Sequence, residues 1–180
     1  MKIKEGIKKL LAEDHKDRSS TKFKKLPPQK RLALIAERDR KRISLLKKLL
    51  KNSQELDVID YFRAALIFRY GRDTESLKLA IDCTRKSINL GYSPAKWLYA
   101  DITDISLLIR GKKQKFGTQF GKKDGRWQLL PVSEKTTDSE RKKYNVISLV
   151  RAKNLEKLLN SNKGGHFFKP SYIGLTMRNK

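Results

Sequence analysis

Between Asp57 and Gly111 the apolar residues recur at helical spacing in three segments, each closed by a glycine. That pattern leaves few folds open. Asp57 is placed to cap a helix carrying Val58, Phe62, Ala65, Leu66 and Phe68, ending near Gly71. Thr74 is placed to cap a second, with Leu77, Leu79, Ala80, Ile81 and Ile88, and Gly91 as its left-handed stop. Ser93-Pro94 supplies the cap and first-turn proline of a third, with Ala95, Leu98, Tyr99, Ile102, Ile105 and Leu108 before Gly111. Short connections make consecutive helices antiparallel neighbours, the packing of a tetratricopeptide- or Sel1-like unit. One such unit does not make a solenoid. Cys83, the one cysteine, falls on the second apolar stripe and reads as a small buried residue; it excludes an internal disulfide.

The periodicity changes after Gly111. Gln114–Phe120 and Arg126–Val132 have strand character, and Gly121–Gly125 between them predicts a five-residue hairpin loop. Thr137-Asp-Ser-Glu140 matches a capping box opening a short helix, and 147–160 predicts another. Upstream, Pro28 opens a long helix to about Asn52, residues 2–13 form a short basic helix, and 14–27 read as an extended linker. The expected architecture is mainly α (α+β), an antiparallel helical domain with one β-hairpin near 113–132. Its bounds are 28–160, with a basic extension over 1–27 and a basic aromatic tail over 161–180.

Charge divides the chain in the same way. The formal net charge is +24, from 43 Lys and Arg against 19 Asp and Glu. Residues 1–56 carry +11, 57–110 carry +1, and 111–180 carry +12. So large an excess repels itself unless an extended polyanion neutralises it, which points to RNA. The expected contacts are Lys8, Lys9, Lys22, Lys24, Lys25, Lys30, Arg31, Arg38, Arg40, Lys41 and Arg42 in the N-terminal part. Lys112, Lys113, Lys122 and Lys123 flank the hairpin, and Lys163, Phe167, Lys169 and Arg178 lie in the tail. The tail interleaves charge with aromatic rings suited to stacking on unpaired bases. No stretch approaches the length of a membrane span, and no secretory signal is visible. Glu5, Glu13, Asp14 and Asp17 argue against a transit-peptide reading of the first helix, so the chain is expected in the cytoplasm on the ribosome, or on an organellar ribosome.

The most distinctive string is Gln114-Lys-Phe-Gly-Thr-Gln119, followed by a tryptophan strand and Thr136-Thr-Asp-Ser-Glu-Arg-Lys-Lys-Tyr144. With Ala95-Lys-Trp-Leu-Tyr-Ala100 and Asp104 upstream, residues 57–160 resemble an uncharacterised family of bacterial domains carrying a Q-x-[FY]-G-T-Q signature. The resemblance implies a polar site in which a histidine, an aspartate and an arginine converge on the Gly-Thr-Gln segment, suited to acid–base chemistry. Tyr70 stands where the family's histidine is expected, and Ile105 where its arginine is expected. The two histidines present, His15 and His166, lie in the basic extensions. This copy is therefore expected to lack catalytic residues, cofactor and metal, and its Asp104, Gln114, Thr118 and Gln119 form at most a residual pocket. In a strand, Gln114 and Thr118 share one face and Gln119 takes the other. Their other expected role is to satisfy buried backbone groups where the hairpin meets the helix.

Three functions follow as expectations. The first is a non-catalytic RNA-binding protein on ribosomal RNA, beside ribosomal proteins and with no membrane partner. The second is an enzyme or toxin-like domain acting on RNA or a nucleotide through Asp101, Asp104, Gln114, Thr118 and Gln119. The third is an adaptor using 57–111 as a helical docking platform, which leaves the charge unexplained.

Overall fold

A computed structural model describes residues 3–51 and 56–161. Among these residues there are eight helices and one two-stranded antiparallel hairpin, the mainly helical class expected. The chain divides into two compact units, Met1–Tyr99 and Ala100–Lys180, where the sequence pattern suggested one domain over 28–160.

The first unit holds α1 (Ile3–Ser19), α2 (Thr21–Lys24), α3 (Pro28–Lys51), α4 (Val58–Phe68), α5 (Thr74–Asn89) and the start of α6 (Pro94–Ile109). The N-terminal segment is not an extension with a linker. Helix α1 continues six residues past the predicted end, α2 follows at once, and α1 packs on α3 and α4. The physical reason is that Asp14 and Asp17 face inward. They meet arginines of α3, and Phe23 of α2 is buried. A polar stretch looks solvated in sequence when its charges have partners far along the chain.

Helix α4 begins as predicted, with Asp57 accepting from the amides of Ile59 (3.0 Å) and Asp60 (2.9 Å). Helix α5 is capped by Asp73 rather than Thr74: Asp73 Oδ1 accepts from the Ser76 amide at 2.8 Å, and Thr74 is the first helical residue. The α4–α5 pair is an antiparallel helical hairpin, closed where Ser87 Oγ donates to the Val58 carbonyl (2.8 Å). Helix α1 runs parallel to α4 and antiparallel to α3, since Lys4 meets Asp57 while Arg18 meets both Tyr70 and Asp39. Ile7, Leu46, Phe68 and Leu77 form the buried centre of this packing. Each such side chain contributes about 1.5–3 kcal/mol on burial.

The second unit holds the rest of α6, then β1 (Phe120–Lys123), β2 (Arg126–Leu129), α7 (Asp138–Lys143) and α8 (Leu149–Asn160). The hairpin is tighter than predicted. Lys123 pairs with Arg126, so its loop is the two residues Asp124 and Gly125. Both have positive φ, 49° and 77°, the conformation that an Asp-Gly type I′ turn supplies and that matches strand twist. Residues 114–119 are not a strand. They form a loop with one isolated bridge, Gln114 to Val132. The open edge of β2 is covered by α8: Asn160 accepts from the Trp127 amide (2.8 Å) and donates to its carbonyl (2.7 Å). Glu156 Oε2 accepts from the Leu129 amide (2.7 Å). Two side chains thus do what a third strand would do for an exposed edge. Thr137 caps α7 by accepting from the Glu140 amide (3.2 Å), as the capping-box spacing implies.

Candidate functional site

Asp101 and Asp104 lie one turn apart on α6, which puts both carboxylates on one face, and the loop 114–119 folds over them. Gly117 sits at φ 85°, reversing the chain so that amides on both sides of it aim at the same group. Asp104 Oδ1 accepts from the amides of Lys115 (2.7 Å) and Phe116 (2.8 Å). Asp104 Oδ2 accepts from the Thr118 amide (2.9 Å) and the Thr118 hydroxyl (2.8 Å). A carboxylate offers about four lone-pair positions, and here all four are taken by the loop. Burial pushes the Asp104 carboxyl above its usual range, and the donated amides and hydroxyl pull it back.

Gln114 closes the same loop from its other end. Its Nε2 donates to the carbonyls of Gln119 (3.0 Å) and Leu130 (2.6 Å), and its Oε1 accepts from the Gln119 amide (2.9 Å). The side chain of Gln119 reaches back to α6, where Nε2 donates to Asp101 Oδ1 (2.7 Å) and to Thr118 Oγ1 (2.8 Å). The structure therefore brings together the four residues singled out from sequence, with Asp101, and joins them to one another. The face assignment made for a strand does not hold, because a loop lets Gln114, Thr118 and Gln119 converge. Satisfying the buried backbone is the role their bonds describe.

Sequence reasoning missed a sixth member, Arg141. Its Nε donates to the Phe116 carbonyl (3.0 Å), and its Nη1 donates to the Thr136 carbonyl (2.8 Å) and Asp138 Oδ1 (3.0 Å). Only 2% of the residue is exposed, and its Nη2 is buried with no hydrogen-bond partner. The sequence signal for Arg141 was its place in the Thr136–Tyr144 string that carries the resemblance, where the arginine is part of the pattern and Lys142 and Lys143 are not; its burial on the inner face of α7 is set by the fold. Phe116 also packs its ring against Tyr144, with centroids 4.9 Å apart.

The second candidate surface is the set of basic residues, and the structure sorts it. Arg42 is buried and bonds Asp17 (2.6 Å) and Asp39 (2.8 Å), with Asp14 at 3.5 Å. Burial opposes its charge, but those carboxylates outweigh burial and raise its pKa. Arg38 bonds Asp17, and Arg18 bonds Asp14 (2.8 Å) and Asp39 (2.9 Å) while lying over the Tyr70 ring. Arg42 is thus corrected from a surface contact to an interior ion-pair centre, and Arg38 is engaged within the fold. Lys41 pairs with Glu37 at 2.7 Å. Lys8, Lys9, Lys22, Lys24, Lys25, Lys30 and Arg40 are exposed in the first unit, and Arg31 is half-buried. Lys112, Lys113, Lys122 and Lys123 are exposed in the second. Lys163, Phe167, Lys169 and Arg178 lie outside the described residues.

Among the described residues no group of three or more His, Cys, Asp or Glu is arranged to hold a metal ion, and no helix is long and apolar enough to cross a membrane. Comparison with family models, curated proteins and solved structures returns no match to this chain.

Proposed function

We propose that this protein binds RNA without acting on it chemically, and that its RNA is ribosomal. The observation that carries the reading is the exposed cation set that survives internal pairing in each of the two units. Where Asp14, Asp17 and Asp39 neutralise arginines of α1 and α3, lysines elsewhere on those helices remain exposed. The same holds at the hairpin, where Lys122 and Lys123 stand at the exposed end of β1. Such cations neutralise phosphates largely independently of base sequence. Against the enzymatic alternative stands the geometry of Asp104, whose oxygens already accept four donors from its own loop.

The test is sedimentation of the tagged protein from native lysate through sucrose gradients at low and high salt. Co-migration with a ribosomal subunit that persists at moderate salt is the expected result. Recovery only in the top fractions at low salt would reject ribosome association. Binding of purified protein to RNA should weaken steeply with salt, since each neutralised phosphate releases counterions. An affinity unchanged by salt would reject the phosphate-based reading as well.

A further inference from the structure

Helix α8 has two opposite faces. Ala152, Glu156 and Asn160 stand at successive turns and form the inward one: Ala152 is buried, while Glu156 and Asn160 bond the backbone of β2. Val150, Asn154 and Leu158 repeat that spacing two residues earlier, about 200° round the helix. Val150 is 65% exposed and Leu158 45%, and Asn154 between them is exposed as well. The outer face of α8 is thus an apolar stripe two turns long with an amide at its middle.

Charge frames the stripe with one sign. Arg151 runs along one edge and Lys153 and Lys157 along the other, all exposed. Among the described residues none of the three pairs with a carboxylate. Glu156, the one acid of α8, faces the other way and accepts the Leu129 amide. Just before the helix, Ile147 is 41% exposed and shares a cleft of about 650 Å³ with Lys142 and Arg151. The carboxylate in that lining, Asp138, already accepts from the Leu149 amide and from Arg141. Apolar surface and positive charge therefore continue together past the N-terminal end of α8.

We infer that the outer face of α8 docks an acidic amphipathic helix of a partner protein. That helix carries apolar residues at one-turn spacing against Val150 and Leu158, a polar residue against Asn154, and carboxylates opposite Arg151, Lys153 and Lys157. Helix docking of this kind is read from apolar residues one turn apart, and a polar group in mid-stripe fixes the register of the pair. An amide buried there without a partner costs affinity, so Asn154 also selects what lies opposite it. Complementary charge decides among occupants. A second copy would bring the same cations against these, and the chain's own residues 162–180 hold Lys163, Lys169, Arg178 and Lys180 without an acid. An RNA backbone satisfies the cations but sets phosphate against Val150 and Leu158. A lipid surface takes a broader apolar face than two residues parted by an asparagine. The docking face uses none of the cations assigned to RNA above, so it stands whether or not the chain binds RNA.

The test is fluorescence anisotropy with the full chain and a labelled, stapled helical peptide. The peptide has leucine, asparagine and leucine at one-turn spacing and glutamate along both edges. A scrambled peptide of the same composition keeps the charge and loses the stripe. The patterned peptide is expected to bind one to one, and the scrambled one at least about tenfold more weakly. Val150→Ser with Leu158→Ser changes only exposed side chains, so circular dichroism should be unchanged while peptide affinity falls about tenfold or more. Arg151→Glu with Lys153→Glu and Lys157→Glu should shift the preference to the same peptide with lysine edges. Equal binding of patterned and scrambled peptides, no binding of either, or full affinity in the serine variant overturns the proposal. Displacement of the peptide by oligouridine at equal concentration overturns it in favour of RNA. A dimer in sedimentation, or binding to phosphatidylglycerol vesicles, that the serine variant abolishes would likewise overturn it, assigning the face to a second copy or to lipid.

Discussion

Replacing Asp104 by alanine removes the acceptor of four hydrogen bonds at once, and the consequence can be worked through. The Phe116 amide is buried, so leaving it unpaired costs about 1–3 kcal/mol. The Lys115 and Thr118 amides are part-buried, and each costs about 1 kcal/mol when left unpaired. The Thr118 hydroxyl can rotate elsewhere. The sum is about 3–5 kcal/mol, a large share of the roughly 5–15 kcal/mol that stabilises a typical domain. Asp104→Asn keeps one acceptor oxygen and turns an amide group toward the other donors, so it should fall between, at about 2–3 kcal/mol. Trp97 lies in the first unit and Trp127 in the second, so Trp127 emission in a Trp97→Phe background follows the second unit alone. Thermal unfolding read this way should show the alanine variant melting lower by upwards of about 12 °C, taking about 4–8 °C per kcal/mol for a small domain. A loss below about 1 kcal/mol, or asparagine as damaging as alanine, would refute the clamp. An alanine variant of full stability would return Asp104 to the functional candidates.

Three further outcomes test other parts of the chain. Arg42→Ala leaves Asp14, Asp17 and Asp39 with one buried guanidinium fewer, and denaturant unfolding of the first unit should register a loss of about 3–5 kcal/mol. Asp57 is held down to about 2 by the Asp60 amide and Lys4. A depressed carboxylate stabilises the fold above its ordinary value of 3.8, and that stabilisation is lost as pH falls through about 2. Asp57→Asn keeps the cap acceptor but not the charge, so its stability deficit should narrow between those pH values in an acid titration. Burial pushes the Cys83 thiol up to about 12, so labelling by a thiolate-selective reagent at pH 8 should be slow until the protein is denatured. Rapid labelling of native protein would show that α5 does not bury its apolar stripe.

Local structure was legible wherever neighbours in sequence settle it. The apolar spacing of α3 to α6, the Asp57 cap, the Thr137 cap and the existence of a hairpin all follow from residues within a few positions of one another. So does the prominence of Gln114, Thr118, Gln119 and Asp104, whose polarity is conspicuous in an apolar stretch. The linker predicted over 14–27 failed because Asp14 and Asp17 are matched by Arg38 and Arg42, more than twenty residues away. Only folding brings such charges together. The strand predicted over 114–120 failed for a related reason: a side chain of α6 gathers the amides that a partner strand would otherwise bond.

By itself, then, the sequence determined that this protein is helical, that one hairpin interrupts the helices, and that basic residues outnumber acidic ones in both flanks. Those properties depend on local periodicity, turn chemistry and composition. The tertiary structure alone decided which charges are available, since a guanidinium beside a buried carboxylate and one facing water are the same letter. It also decided that Arg141 belongs with the Asp104 loop, and that Trp127 stands beside Lys122. Such placements are set by packing over long separations, where pairwise burial and charge compensation act and sequence neighbours carry no information.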